Sequence, residues 1–308
     1  MSERFHLETI VNPGCVRNCN KDMRHSGMAN NDICNHVNSV RDSLPVRCVG
    51  GWAEQKIYLI AQYLGIFATG MHNKWDDVNY IEVCSGPGRC IDRKSGCEFD
   101  GTSLSVIKHK SFKFISKALF FDYDEQVINI LNSRIKIFGQ ETKAKAYKGD
   151  YNDSASICEV IKKEININSL CLVVIDPTDC SVPLDFIKDL HNVIPKMDLI
   201  INVATGTDYN RNAPNVIADP VKCKNAKSKY ERFLGTTTLF PQLSLNDRYK
   251  NKFRDAYKKS LQKVGFIYFD IKTVEQFYDI FYASSNPKGL EFWLKAQKYE
   301  YDGQASLF

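Results

Sequence analysis

The sequence has no long apolar run. No stretch of its 308 residues approaches the roughly 18 to 20 apolar residues that are needed to cross a bilayer. The first ten residues mix polar, charged and apolar side chains and contain no apolar segment of the kind found in signal peptides. Internal repeats and low-complexity tracts are also missing. From these absences we expect a cytoplasmic protein with no membrane partner.

A strong charge of either sign is missing as well. The sequence has 41 Lys and Arg residues against 36 Asp and Glu residues, which leaves a formal net charge of +5. This mild excess permits a phosphate-rich partner without requiring one. A hydrophobic content of 44% over this length is enough for one large α/β domain, or for one domain with an appendage.

The eleven cysteines lack the paired spacing of a zinc site. Cys15 and Cys19 have no matching second pair, and Cys34-x-His36 is not a usual zinc spacing. With Cys48, these residues lie in a stretch that has little periodicity, so residues 1–48 are predicted to form an irregular Cys-rich N-terminal arm without a metal. An odd number of cysteines cannot all pair within one chain, and we expect reduced thiols.

From residue 49 onward, short apolar runs alternate with amphipathic segments. The predicted strands are 80–84, Lys117–Asp122, 145–147, 170–176 and 198–203. The predicted helices are 52–69, 102–114, 124–138, 154–165, Leu184–Val193 and 247–264. Strands that alternate with helices in this way indicate right-handed crossovers and a parallel sheet.

The C-terminal part changes this pattern. Residues 204–245 carry no clear period, which indicates an insertion, and the segments 266–273 and 277–284 read as an antiparallel hairpin. A mostly parallel sheet that ends in such a hairpin is typical of S-adenosylmethionine-dependent methyltransferases. The sequence therefore predicts an α/β, Rossmann-like class I methyltransferase fold over residues 49–308.

The first candidate site follows the predicted strand 80–84. Glu82 lies in this strand, and Ser85, Gly86 and Gly88 belong to a Gly-x-Gly turn directly after it. Glycine lets a backbone approach a ligand where a Cβ would clash, although the third glycine of the dinucleotide fingerprint is missing. An acidic strand with this shorter turn is similar to the methyltransferase motif that lies under the methionine part of the cofactor. A plain turn at the strand exit is the alternative.

The ends of the next two strands supply candidates for the adenosine part of S-adenosylmethionine. Asp122 ends its strand at a point where a carboxylate can accept the ribose hydroxyls, and Tyr123 could pack on the adenine. Asp150 and Tyr151 follow the strand 145–147, where methyltransferases place an acidic residue against the adenine amino group. Helix capping is the alternative for Asp122, and a turn or a helix cap is the alternative for Asp150.

The fourth candidate ends the most apolar predicted strand. Asp176 and Pro177 lie where amino-methylating enzymes carry an Asp/Asn-Pro-Pro-Tyr/Phe motif, which orients the acceptor nitrogen. Thr178 and Asp179 replace the second proline and the aromatic residue, which argues against adenine-N6 chemistry. Asp176 is the candidate for holding or deprotonating the acceptor, and Asp179 is a second candidate base. Cys180 reads as a nucleophile or as a buried thiol.

A surplus of positive charge marks the predicted insertion. The segment 208–229 contains only Asp208 and Asp219 as acidic residues. Its candidate substrate-binding residues are Arg211, Lys222, Lys224 and Lys227. Lysine and arginine in such a cluster are suited to contact nucleic-acid phosphates. We therefore predict a substrate-facing loop that binds nucleic acid, with a solvated loop as the alternative.

Residues 45 to 300 resemble the three-Cys-motif partner proteins, a family of methyltransferase-like bacterial and phage proteins. The matching features are Trp52-x-x-x-Lys56 and the segments 81–88, 101–103, 175–177 and 281–293, together with Asn202 and Arg211. Where that family has an aromatic residue and glycine after Asp-Pro, this chain has Thr178 and Asp179. The resemblance implies the methyltransferase-like fold, S-adenosylmethionine as cofactor and a three-Cys-motif protein as partner.

These observations lead to one functional hypothesis with two alternatives. The motifs favour a methyltransferase that transfers a methyl group from S-adenosylmethionine to a nucleic-acid base or nucleotide. The weakened Asp-Pro motif keeps open a non-catalytic partner or nucleic-acid-binding module. A small molecule or a protein as methyl acceptor is the third reading.

Overall fold

The computed structural model describes residues 7–16, 33–244 and 248–298. The chain divides into two compact units. Unit 1 comprises Met1–Gly149 with Phe292–Phe308, and unit 2 comprises Asp150–Glu291. This division differs from the boundary at residue 48 that the sequence predicted. Within the described ranges, no helix is long and apolar enough to cross a membrane.

Unit 1 contains strands of two separate sheets. Its strands are β1 (Ile10–Val11), β2 (Ile33–Asn38), β3 (Pro45–Val49), β4 (Val78–Val83), β5 (Arg89–Asp92), β6 (Cys97–Asp100), β7 (Lys117–Asp122) and β8 (Ala144–Lys148). Its helices are α1 (Trp52–Met71), α2 (Thr102–Lys108) and α3 (Glu125–Ile137), with a 3-10 helix at Lys110–Phe114. The predicted helix 102–114 is interrupted because His109 is extended, with φ −65° and ψ 135°.

Strands β4, β7 and β8 are parallel and lie in the order β8-β7-β4. All six residues of β4 are buried, as expected for a parallel strand that is covered on both faces. Helix α3 is attached to β8 by the Asn132 side chain, whose amide donates to the Ala146 carbonyl and accepts from the Ala146 N–H, both at 2.9 Å. The carboxyl ends of β4 and β7 therefore lie side by side.

The described part of the N-terminal segment is not irregular, which corrects the prediction for residues 1–48. Strands β1, β2 and β3 join β5 and β6 in a second sheet with the order β1-β6-β5-β3-β2. The fully buried Glu98 explains how so polar a segment is ordered. Its carboxylate accepts from the side chains of Asn12 (2.5 Å) and Ser39 (2.8 Å) and from the Val40 N–H (2.9 Å). Hydrogen bonds to Glu98, rather than an alternation of apolar residues, thus order this segment. Sequence reasoning depends on such an alternation and therefore missed these strands.

Unit 2 continues the alternation of strands and helices. Its strands are β9 (Leu170–Ile175), β10 (Met197–Val203), β11 (Tyr268–Val274) and β12 (Tyr278–Ser284). Its helices are α4 (Ser154–Glu164), α5 (Leu184–Val193), α6 (Asn210–Ala218), α7 (Lys224–Leu234) and α8 (Tyr249–Val264), and α9 (Pro287–Ala296) begins at its end. Short helical turns lie at Thr205–Tyr209 and Phe240–Gln242.

The strand order in unit 2 is β9-β10-β12-β11. Strands β9 and β10 are parallel, and β12 is antiparallel to both of its neighbours. If strands β4 and β7 to β12 are renumbered from 1 to 7 in chain order, the order in unit 1 is 3-2-1 and the order in unit 2 is 4-5-7-6. These orders confirm the predicted α/β, Rossmann-like class I methyltransferase fold, mostly parallel and ending in an antiparallel hairpin.

The predicted insertion 204–245 is helical rather than aperiodic. Its helices pack through large aromatic side chains instead of a regular aliphatic stripe. Tyr209 stacks on Phe253 of α8 with 3.9 Å between ring centroids, and Phe233 stacks on Tyr257 at 4.4 Å. The fully buried rings Tyr209, Tyr230 and Phe233 are irregularly spaced along the chain, so the helical period is too sparse to be detected in the sequence.

Candidate functional site

The turn after β4 takes three left-handed residues within five positions. Cys84, Gly86 and Gly88 have φ values of 64°, 63° and 90°. Glycine adopts this conformation without penalty, whereas an L-residue such as Cys84 pays about 1 to 2 kcal/mol. Sequence reasoning found the two glycines but missed Cys84, which supplies the third left-handed position. Strain of this kind concentrates at functional sites.

Asp122 at the end of β7 is bonded to this turn. Its Oδ2 accepts the Gly86 N–H at 3.0 Å, and its Oδ1 accepts the Asp124 N–H at 3.2 Å. The Asp122 residue is only 9% exposed. Burial raises the pKa of Asp122, and the hydrogen bond from Gly86 and the charge of Arg47 oppose that rise. The helix cap is formed by Asp124, whose side chain accepts the Gln126 N–H, so the capping alternative does not account for Asp122.

Arg47 is a residue of this site that sequence reasoning missed. It lies on β3, inside the segment that was expected to be an irregular arm. A Cβ built on Gly86 would lie 3.2 Å from Arg47 Nη1, so the guanidinium lies directly against the turn. No spacing signal marks Arg47, because only the pairing of β3 with β5 carries it to this position.

Ser85 carries a buried hydroxyl that has no hydrogen-bond partner among the described residues. The residue is 7% exposed, and its backbone N–H is bonded to the Phe121 carbonyl at 3.0 Å. Buried polar atoms are nearly always satisfied in native proteins, so an unsatisfied one indicates a water or a ligand. Tyr123, which follows Asp122 at the end of β7, leaves 48% of its surface exposed.

Two other predicted cofactor residues have structural explanations. A Cβ on Gly88 would lie 2.9 Å from Leu131 Cδ1 and 3.0 Å from Leu104 Cγ, so core packing requires a glycine there. Glu82 is 1% exposed within β4, and its carboxylate accepts the Tyr80 hydroxyl at 2.9 Å.

Unit 2 contains the remaining predicted residues. The exposed Asp150 accepts both the backbone N–H and the side-chain amide of Asn152, at 2.8 and 2.9 Å. These bonds are typical of a turn, which was the alternative to a cofactor role for Asp150. Tyr151 is half-buried, and its hydroxyl lies 2.7 Å from the Ser181 hydroxyl. Ser181 in turn donates to Asp179. Tyr151 and Asp179 therefore belong to one hydrogen-bonded chain.

The Asp176-Pro177 segment is anchored by Asn202 at the end of β10. The Asn202 amide donates to the Pro177 carbonyl at 3.1 Å, and its own carbonyl oxygen is buried without a partner among the described residues. Asp176 is 9% exposed at the end of β9. The hydrogen bond from Asn202 thus fixes the backbone next to Asp176. The Asn202 side-chain oxygen is an unused acceptor beside this segment.

Behind this segment lies a buried ionic group around Asp208. Its carboxylate accepts from Lys229 Nζ (2.6 Å), the Tyr230 hydroxyl (2.9 Å) and the Cys180 N–H (2.9 Å). Lys229 also lies 3.5 Å from Asp179. Burial alone would raise the pKa of Asp208, but the hydrogen bonds from Lys229 and Cys180 hold it below its usual value of 3.8.

Cys180 is not suited to act as a nucleophile. It is fully buried, and burial and the nearby Asp208 raise the pKa of its thiol well above the usual value of 9.0. A thiol of this kind is protonated and inert at neutral pH. The structure therefore supports the buried-thiol reading.

The predicted basic loop is built from helices. Arg211 on α6, Lys224 on α7 and Lys222 just before α7 are exposed. Lys227 is half-buried, and its Nζ lies 3.5 Å from Glu231 one helical turn away. Three of the four predicted phosphate-binding side chains are therefore accessible, and Lys227 is partly neutralised. The prediction that residues 208–229 form a loop is therefore wrong, because most of them lie in α6 and α7.

No group of three or more His, Cys, Asp or Glu side chains is arranged to hold a metal ion within the described ranges. Cys15, Cys34, His36 and Cys48 belong to those ranges, and Cys19 lies outside them. The expectation that the N-terminal segment binds no metal stays a prediction.

No family model and no curated protein matches the sequence. Similar solved structures include a protein from Legionella pneumophila, with a TM-score of 0.47, 8% identity and coverage of 83% of this chain and 95% of that chain. A cofactor-bound protein from MTB has a TM-score of 0.42, 10% identity and coverage of 73% and 78%. An O-methyltransferase family protein from Burkholderia thailandensis has a TM-score of 0.38, 10% identity and coverage of 74% and 56%. The fold assignment rests on strand order, and membership of the three-Cys-motif partner family stays a prediction.

Proposed function

We propose that this chain is an S-adenosylmethionine-dependent methyltransferase whose acceptor is a nucleic-acid base or nucleotide. The observation that carries the proposal is the pairing of Asp122 with the left-handed turn at Gly86. A nearly buried carboxylate and a strained glycine turn meet at the carboxyl ends of two neighbouring parallel strands. Ligands of open α/β sheets bind in the crevice at that edge.

The residues of unit 1 fit an adenosine bound to a short amino-acid tail. Each oxygen of Asp122 accepts one backbone N–H, so each keeps a lone pair for a ribose hydroxyl. Gly86 offers an open backbone where a Cβ would approach Arg47, and the unpartnered Ser85 hydroxyl supplies a further polar contact. Tyr123 presents an exposed ring that can cover the adenine.

When bound, S-adenosylmethionine supplies an already electrophilic methyl group, so the main task of the chain is to orient the acceptor. Asn202 holds the Pro177 carbonyl of the Asp-Pro segment in unit 2. Asp176 is the residue we assign to holding the acceptor or taking its proton. Asp179 is less suited to that role, because Ser181 and Lys229 already bind its carboxylate.

Removal of the Asp122 carboxylate should weaken cofactor binding. We expect Asp122→Ala to raise the Kd for S-adenosylmethionine about 5- to 150-fold, which corresponds to the roughly 1 to 3 kcal/mol that a lost hydrogen-bonded partner costs. Calorimetric titration measures this directly. Asp124→Ala is the matched control, because it removes a neighbouring carboxylate that caps α3. Equal affinities in wild type and Asp122→Ala would exclude Asp122 from the cofactor site.

Charge reversal at two exposed basic residues should weaken nucleic-acid binding. For Arg211→Glu combined with Lys224→Glu, we expect a shallower dependence of log Kd on log salt, by about 0.9 for each lost phosphate contact. The measurement is a salt titration with short RNA and DNA. Lys162→Glu with Lys163→Glu on α4 changes the net charge equally at exposed positions and serves as control. The same slope in all three proteins would favour a small-molecule or protein acceptor.

A non-catalytic binding module is the second candidate. It is favoured by the Asp179 carboxylate, which is bound by Ser181 and Lys229. The two candidates differ in one observation, the transfer of a tritiated methyl group to total RNA or DNA. Cofactor binding without any transfer would support the module.

A further inference from the structure

A cavity lies in unit 1 at the opposite end of β7 from Asp122. It has a volume of about 500 Å³ and opens between α1, the 3-10 helix Lys110–Phe114 and the C-terminal helix α9. This volume is within the roughly 300 to 1,000 Å³ that is usual for small-molecule sites. The 3-10 helix precedes β7, whereas the candidate cofactor residues follow it, so the two sites are distinct.

Two glycines in the C-terminal half of α1 shape one wall of the cavity. A Cβ on Gly65 would lie 2.6 Å from His109 Cε1, and a Cβ on Gly70 would lie 2.6 Å from Phe292 Cζ. Glycine inside a helix is less favourable than alanine. Here the absence of side chains lets two rings lie directly against the helix backbone.

The rings around the cavity present flat, largely apolar surfaces. Phe114 stacks on His72 with 3.8 Å between ring centroids, and Phe292 contributes a second aromatic ring. Burial lowers the pKa of His109 to about 4, and the charge of Lys110 adds to the effect. His109 is therefore neutral at pH 7, and its Nδ1 accepts the Ser111 N–H at 3.1 Å.

Among the described residues, the charged side chains that line the cavity are Lys110, Lys113 and Lys295, and none is an Asp or Glu. Three ammonium groups around one concave surface attract an anion, and the low-dielectric walls strengthen that attraction.

Gln62 adds an unused donor to the same wall. It lines the cavity and is 8% exposed, and its Nε2 is buried without a hydrogen-bond partner among the described residues. An unsatisfied buried amide is destabilising, and a ligand acceptor at this position would satisfy it.

We propose that this cavity is a binding site for a small planar anion, namely an aromatic ring that carries a carboxylate, sulfonate or phosphate group. The aromatic walls and the glycine faces of α1 receive the ring. The lysines hold the anionic group, and Gln62 donates to it or to a ring substituent. The inference does not depend on the proposed methyltransferase activity.

The test is a fluorescence titration of the full-length protein with 1-anilinonaphthalene-8-sulfonate, an aromatic sulfonate. We expect one dye per chain, and a Kd that rises at least about tenfold in Lys113→Glu with Lys295→Glu. Gln62→Leu removes the donor with little change of volume and should raise the Kd severalfold. The control Lys162→Glu with Lys163→Glu should bind the dye as wild type does. Circular dichroism establishes that each variant is folded.

The same titration separates this cavity from the candidate cofactor site. Saturating S-adenosylhomocysteine should leave the dye Kd unchanged whether or not it binds the protein. Phenyl phosphate and 2-naphthoate should compete with the dye, and their relative affinities identify the preferred anionic group. The proposal is overturned by absent dye binding, by an equal Kd in the cavity variants and wild type, by displacement with S-adenosylhomocysteine, or by failure of both competitors.

Discussion

Replacement of Arg134 by methionine is expected to lower the free energy of unfolding by about 3 to 5 kcal/mol. Arg134 on α3 is fully buried. Its guanidinium donates to both oxygens of Asp42, at 2.9 and 3.0 Å, and to the carbonyls of Pro87 (2.6 Å) and Leu44 (3.1 Å). One side chain therefore joins the N-terminal segment and the turn after β4 to the same helix.

Methionine keeps much of the arginine volume, but the buried Asp42 carboxylate loses the positive charge of Arg134 that faces it. Asp42 would retain only Arg89, at 2.7 Å, of its two arginine partners. Breaking one side of a buried ionic group costs more than the group contributes, because the remaining charge stays out of water. Urea unfolding followed by circular dichroism measures the change. Lys136→Met, at an exposed position on the same helix, should alter the free energy by no more than about 0.5 kcal/mol. Equal losses in the two variants would contradict this account.

Asp208→Asn is expected to destabilise the protein by about 2 to 3 kcal/mol. The asparagine keeps the shape of the side chain but removes the charge that faces Lys229, which is 27% exposed. Part of the lysine charge can return to water, so the loss should be smaller than for Arg134. Asp185→Asn, which breaks an exposed pair with Lys188, is the control and should cost less than about 1 kcal/mol.

The same variant should change the pH dependence of stability. The pKa of Asp208 is depressed in the folded protein, so its contribution is complete above the usual value of 3.8 and is lost as the pH falls through the folded pKa. Below pH 3.8, the free energy of unfolding of Asp208→Asn should therefore fall less steeply with decreasing pH than that of wild type. Parallel curves for the two proteins would show that the Asp208 ion pair does not stabilise the fold.

The sequence was sufficient for the elements whose side chains follow a clear period. Strand β7 and helix α5 were predicted with their observed bounds, because β7 contains a continuous apolar run and the apolar residues of α5 recur at the spacing of an amphipathic helix. The final hairpin was also predicted, and its antiparallel pairing completes the fold.

The elements that sequence reasoning missed are stabilised by contacts between distant residues. Strands β2 and β3 depend on the buried Glu98 and on pairing with β5, about 40 residues further along the chain. Helices α6 and α7 depend on rings such as Tyr209 and Phe253. Such contacts leave no local pattern, which is why residues 1–48 and 204–245 were expected to be irregular.

The candidate site was predicted in part for the same reason. Motif spacing identified Gly86 and Asp122, whose hydrogen bond now links two strand ends. It could not identify Arg47, nor the roles of Asn202 and Lys229, because each of these reaches its position through tertiary contacts. Motif spacing also assigned a ligand role to Gly88, which the structure explains by packing against Leu104 and Leu131.

The bond between Asp42 and Arg134 has a kinetic consequence. The two residues are 92 positions apart, so their contact closes a long loop, and the entropy cost of closure grows with loop length. Helix α3 and the β7–α3–β8 crossover need only local contacts and can form earlier. An interaction that is completed after the main barrier slows unfolding without accelerating folding. The N-terminal segment should therefore slow unfolding more than it accelerates folding.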